Sequence, residues 1–137
     1  MSDIIAGLGS GLPVLLLQFS VTALLLVAGV LIFRLLTPFN EQALINQGNA
    51  AAATVSATTA VAIALPLAAT LATSTAVLDI VIWGSIGLLV QVVVFVGVSL
   101  LNSGLKQRIE AGELAAAITL GGWQIAFALL NAAALAG

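Results

Sequence analysis

Long apolar runs alternate with short polar connections along the whole chain. Crossing a hydrocarbon core of about 30 Å at about 1.5 Å per residue takes roughly 20 residues of helix. Four stretches qualify, approximately Leu12 to Phe33, Ala50 to Ala72, Ile80 to Leu101 and Leu114 to Leu135. Every charged side chain falls outside them. A charge at mid-bilayer costs at least about 2.5 kcal/mol on insertion scales, so the charges mark the boundaries. No segment alternates with period two, which excludes a membrane β-barrel.

The first and third connections carry helix signals of their own. In TPFNEQALINQGN, Thr37 is placed to cap a short helix and Pro38 suits its first position, where a missing N–H costs nothing. Glu41 then falls in the first turn, favourable to the helix dipole, and Gly48 can supply a left-handed terminator. Leu44 and Ile45 are expected to press on the bilayer boundary. NSGLKQRIEAGE repeats the plan, with Leu105 and Ile109 apolar and Gly112 as terminator.

That similarity belongs to an internal repeat. When the chain is slid along itself so that Ile45 falls on Ile109, Gly48 falls on Gly112, Ala51 to Ala53 on Ala115 to Ala117, and Ala64, Leu65, Ala68 and Ala69 on Ala128, Leu129, Ala132 and Ala133. Alanine-rich segments match by chance, but the glycine and isoleucine in register argue for duplication. The expected architecture is an all-α integral membrane protein in a single domain, two helical hairpins over approximately 12–72 and 80–136. Two-span units point the same way, as in parallel-repeat transporters.

The spans differ in kind. The first and third are rich in Leu, Val and Ile, whereas the second and fourth are dominated by Ala with Gly, Ser and Thr. Lipid gives no hydrophobic force between helices, so association relies on close packing of small residues. Ala52, Ser56, Ala60, Ala64, Ala68 and Ala72 form a four-spaced small stripe in the second span, and Ala116, Ala128, Ala132 and Ala136 recur in the fourth. These two helices are expected to meet centrally, within or between subunits. The blander reading is composition alone, since small residues are common in membrane helices. Pro66 frees the carbonyl of Ala62 and is expected to bend the second span. Trp83 fits an aromatic belt at one boundary, and Phe33 and Phe39 at the other.

Composition sharpens this picture. At 62% hydrophobic and 6% charged, the chain departs far from the near-half apolar, quarter-charged balance of soluble domains. The only cations are Arg34, Lys106 and Arg108, too few for the basic footprint that nucleic acid requires. All three lie in the first and third connections, so the positive-inside rule makes residues 34–49 and 102–113 cytoplasmic and both termini external. The N-terminus lacks a basic region and its apolar run is too long for a cleavable signal, so it reads as a retained span. Without cysteine there is no disulfide or thiolate chemistry, and there is no histidine.

The segment TPFNEQALINQGNAAAA, the later ALPLAA and LDIVIWG, and a glutamine in the third span together resemble the YjfL-like family of small bacterial inner-membrane proteins. Nearly the whole chain is covered, and the most specific part is Thr37, Pro38, Phe39, Asn40 and Glu41 with Gly48 and Asn49 downstream. Asn131, in LLNAA, also matches. Members usually carry Asp where this chain has Asn40, so no acidic pair with Glu41 is implied. The resemblance implies a duplicated two-helix domain of unknown function in the inner membrane, in a family whose members are similar in context to envelope-stress proteins.

Catalysis needs a nucleophile, base or metal held at a protected site. The five carboxylates lie at span boundaries with no histidine or cysteine partner, so no enzymatic role, catalytic residue, metal or cofactor is expected. Glu110 and Glu113, close to Lys106 and Arg108, read as a solvated charge cluster. A structural or interaction protein requires the fewest further features, with the bilayer and either a homo-oligomer or a larger membrane complex as partners. The competing reading is an oligomeric channel or transporter subunit lined by Gln18, Thr58, Thr59, Gln91, Gln124 and Asn131. Gln91 and Gln124 lie halfway along their spans and are expected to pair near the midplane in a layer confined to the second hairpin, because their repeat counterparts are Val27 and Ala60.

Overall fold

A computed structural model describes all 137 residues. It contains six helices: α1 (Ser2–Leu36), α2 (Glu41–Asn46), α3 (Ala50–Thr73), α4 (Val77–Leu101), α5 (Leu105–Glu110) and α6 (Leu114–Ala136). Four of them, α1, α3, α4 and α6, are long and apolar enough to cross a membrane. Helix α1 begins well before the expected Leu12, and its 35 residues extend roughly 50 Å, beyond a hydrocarbon core of about 30 Å. Residues 2–17 are exposed throughout. The turn between α3 and α4 is shorter than its sequence suggests, because Val77, Leu78 and Asp79 enter α4. Asp79 thereby sits in the first turn, at the positive end of the helix dipole.

Thr37 does not cap α2. It closes α1, its hydroxyl donating to the carbonyl of Phe33 at 2.8 Å. The residue before a proline is driven into extended backbone, and Thr37 has ψ 126°. Pro38 therefore lies in the connection, and Asn40 is the cap, its Oδ1 accepting the Ala43 N–H at 3.1 Å. An amide oxygen serves here as well as a carboxylate would.

Gly48 and Gly112 both adopt φ +81°. At each, the glycine N–H bonds back to an isoleucine carbonyl (Ile45, Ile109), and the next N–H reaches one residue further, to Leu44 or Arg108. These are Schellman closures, which satisfy carbonyls at the helix ends. Ile109 is 1% exposed and belongs to the core instead of facing the bilayer boundary, while Leu44 and Ile45 are half-buried against the same core.

The largest helix interface is between α3 and α6, within one chain, with α1 and α4 packed outside it. The four-spaced stripe follows this interface only at its start. Ala52 is buried, Ser56, Ala60 and Ala64 are half-buried, and Ala68 and Ala72 are exposed. Each step of four overshoots a helical turn by about 40°, so the row winds off the interface. The buried face instead advances by threes and fours through Val55, Thr59, Ile63, Pro66 and Thr70. On α6, Ala116 and Ala128 are buried, Ala132 is half-buried and Ala136 is exposed. Phe33 is also internal, stacked edge-on against Phe95 with ring centroids 5.3 Å apart, and so is no belt residue. Trp83 is exposed near the start of α4.

Glycines set the closest approaches. A Cβ built at Gly121 would stand 2.6 Å from Thr58 Oγ1 and 2.7 Å from Thr58 Cβ, closer than real atoms come. Around Gly122 nothing lies within 4 Å. Gly121→Ala is therefore expected to destabilise the bundle by about 1 to 3 kcal/mol through overpacking, and Gly122→Ala to leave it unchanged. Reversible unfolding in mixed micelles measures both.

Candidate functional site

The family-like residues converge at the end of the bundle that carries the basic side chains. Asn49 holds it together. Its Oδ1 caps α3 by accepting the Ala52 N–H at 3.0 Å, and its Nδ2 donates to the carbonyls of Ile109 at 2.9 Å and Glu110 at 3.2 Å. One amide thus ties the start of α3 to the last turn of α5, where carbonyls lack helical partners. The corresponding cap of α6, Glu113, makes no capping bond. It pairs with Arg108, whose Nε donates to Oε2 at 2.8 Å. That bond holds the Glu113 carboxyl below its usual range, but the pair is exposed and contributes little to stability.

Glu41 is the buried carboxylate of this region, 8% exposed. Burial pushes its carboxyl above the usual range, against the opposing pull of the Arg34 charge and the Ser56 hydroxyl. Thr37, Pro38 and Phe39 line one wall of a cleft whose other walls come from the end of α4 and from α5. Gly48 serves the backbone turn at φ +81°, and a Cβ added there would meet nothing within 4 Å.

A second constellation lies inside the membrane-spanning part. Gln91 and Gln124 are each 1% exposed and Asn131 is 9% exposed. The two glutamine side chains do not pair with each other. Gln91 Nε2 donates to the backbone carbonyl of Gln124 at 3.4 Å, while the Gln124 Oε1 accepts from the Thr59 hydroxyl at 3.1 Å. Asn131 Nδ2 donates to the Gly87 carbonyl at 3.0 Å and to Gln91 Oε1 at 3.3 Å. Through Thr59 the first hairpin joins the layer, so it is not confined to the second. Gln124 Nε2 has no partner. Gln18 lies apart on α1, half-buried, and Thr58 returns its hydroxyl to the Thr54 carbonyl.

Sequence reasoning overlooked Thr59 as a partner for Gln124, the capping and bridging bonds of Asn49 and the spacing role of Gly121. Glycines at Gly84 and Gly87, one turn apart on a span otherwise rich in Leu and Val, were a legible hint of close contact. A Cβ at Gly87 would meet Leu135 at 3.0 Å and Pro66 at 3.3 Å.

A family model described as Domain of Unknown Function (DUF350) matches residues 7–135. The chain is 33% identical over 124 residues to the UPF0719 inner membrane protein YjfL of Escherichia coli (strain K12), across 88% of this chain and 94% of that protein. The YjfL protein of Escherichia coli O157:H7 is similar to the same extent. No solved structure matches the chain.

Because Gln91 bonds to a backbone atom of Gln124, the variants Gln91→Leu and Gln124→Leu are expected to be additive in stability. Thr59→Val and Gln124→Leu share a side-chain bond and should couple by about 0.6 to 1.7 kcal/mol, the range for interhelical polar contacts in membranes. Double-mutant cycles in micelles read both pairs.

A raised carboxyl value in the folded state gives the opposite pH dependence to an ordinary salt bridge. The folded chain holds the Glu41 proton more tightly, so stability falls as pH rises from the usual carboxylate value through the raised one. Glu41→Gln is expected to raise the thermal midpoint at neutral pH, with the gain over the parent closing as the medium is acidified below that window.

Proposed function

The chain belongs to the DUF350 family and is a multi-pass protein of the bacterial inner membrane, and from that premise we propose that it is a non-catalytic structural or interaction protein. Its working surface is the end built from α2 and α5. The observation that carries this reading is the triple bonding of Asn49, which fastens α5 to the start of α3 directly after α2, so that the two short helices form one platform over α3 and α6. Gln42, Asn46, Gln47 and Glu110 are exposed there, polar and available to a partner.

The positive-inside distribution of Arg34, Lys106 and Arg108 supports a cytoplasmic platform with both termini outside. The paired Schellman closures at Gly48 and Gly112 support descent from a duplicated hairpin. Assembly into a homo-oligomer or larger complex is part of the same reading, and the uncovered length of α1 over residues 2–17 is surface that such an assembly can use. A pore lined by amides is disfavoured, because Thr59, Gln91, Gln124 and Asn131 bond inward to one another and to backbone, inside one subunit.

Single cysteines at Asn46 and Ser103 test the proposal. In intact cells they should resist an impermeant thiol reagent that labels Ser2→Cys and Ser74→Cys, and, armed with a photocrosslinker, they should trap a discrete companion. Asn49→Ala, which unties the platform, should reduce that trapping severalfold without loss of the protein from the membrane. External labelling of Asn46→Cys removes the orientation. Solute flux through proteoliposomes, with no companion trapped, favours the pore.

A further inference from the structure

We propose that the cleft between the α1–α2 connection, the end of α4 and α5 binds one anionic phospholipid, with an acyl chain on its floor and the phosphate at Lys106. The cleft encloses about 400 Å³, within the range of small-molecule sites. Its floor is formed by Val55, Phe95, Ile109 and Leu120, each 5% exposed or less and none polar. This surface suits hydrocarbon.

The rim is graded. On one side stand Val96 and Leu100, exposed apolar residues in the last turns of a membrane-spanning helix. On the other stand Ser103, Lys106 and Gln107, exposed and polar. Gly104, at φ +77°, turns the chain after α4 so that α5 forms the polar wall. An apolar floor opening on one side to hydrocarbon-facing residues and on the other to hydroxyl, amide and ammonium groups matches an amphiphile at the bilayer boundary. A free phosphate would leave the floor uncovered, and a neutral hydrocarbon would leave the ammonium unanswered.

Charge selects the headgroup. Arg108 is already paired with Glu113, and Arg34 acts on Glu41. Of the three cations only Lys106 lines the cleft, and it makes no ion pair within the chain, so it is the cation placed to meet a lipid phosphate there. Basic groups beside a membrane-spanning helix attract anionic headgroups. The inference is separate from the platform reading, since it concerns a lipid in purified protein and requires neither a companion nor an orientation.

Native mass spectrometry of the full chain from neutral detergent, with phosphatidylglycerol and phosphatidylcholine of matched acyl chains added at equal concentration, tests it. One phosphatidylglycerol should be retained in preference to phosphatidylcholine. Lys106→Gln should lower that preference about fivefold, the worth of one lysine near an anionic surface. Arg108→Gln, outside the cleft, should leave it unchanged, and Ser99→Phe, which fills the cleft, should remove retention of both lipids. Equal loss on Lys106→Gln and Arg108→Gln would mean diffuse surface attraction and overturn the proposal. Equal retention of both lipids, or full displacement by glycerol phosphate, would overturn it as well.

Discussion

In a bilayer, two helices gain nothing by hiding apolar surface from each other, so the bundle depends on how closely α3 and α6 approach. That distance is set at Gly121, where the backbone of α6 rests on Thr58 of α3 with no room for a methyl group. Contact at this range lets many weak dispersion terms add up. It also brings Gln124 within reach of Thr59, and at the start of α3 Asn49 reaches the last turn of α5, the helix that leads into α6. Helices α1 and α4 then pack on the outside of this pair, each through glycines of their own: Gly29 against Ile63 and Leu88, Gly84 against Leu67 and Leu25.

Absence of water in the hydrocarbon region explains the polar layer. An amide there must find a partner inside the protein or incur the cost of desolvation. Gln91, Asn131 and Thr59 do so with side-chain and backbone acceptors from neighbouring helices, and the bonds fix the rotation of α3, α4 and α6 relative to one another. The layer therefore specifies registry, which apolar packing alone does weakly, because Leu and Val can slide along a helix face at small cost.

At the basic end the same economy of partners produces rigidity. The left-handed glycines stop α2 and α5 after six residues each, and the Schellman bonds close their ends. Asn49 then uses both ends of its amide, one to start α3 and one to hold α5. Beneath this platform Glu41 is held in a partly desolvated position beside the charge of Arg34 and the Ser56 hydroxyl. A rigid polar surface, a buried carboxyl and a graded apolar cleft thus occupy one end of the molecule, while the opposite end of α1 stands uncovered.

The sequence by itself determined the number of the spans, the positions of the two short helices, their glycine terminators and the membership of the family. Those features depend on local quantities: the length of an apolar run, the cost of a buried charge, and the φ that only glycine takes easily. Which small residues face the interface was decided by the tertiary structure, since a four-spaced row winds around the helix and Ala68 and Ala72 end outside. The cap of α2 passed from Thr37 to Asn40 because a proline constrains the residue before it, and Phe33 left the expected belt because Phe95 on another helix was there to receive it. The partner of each buried amide was likewise beyond local reasoning. Gln124 meets Thr59 and Asn131 meets Gln91 only after three helices have taken their rotations and heights, and those follow from contacts far apart in the chain.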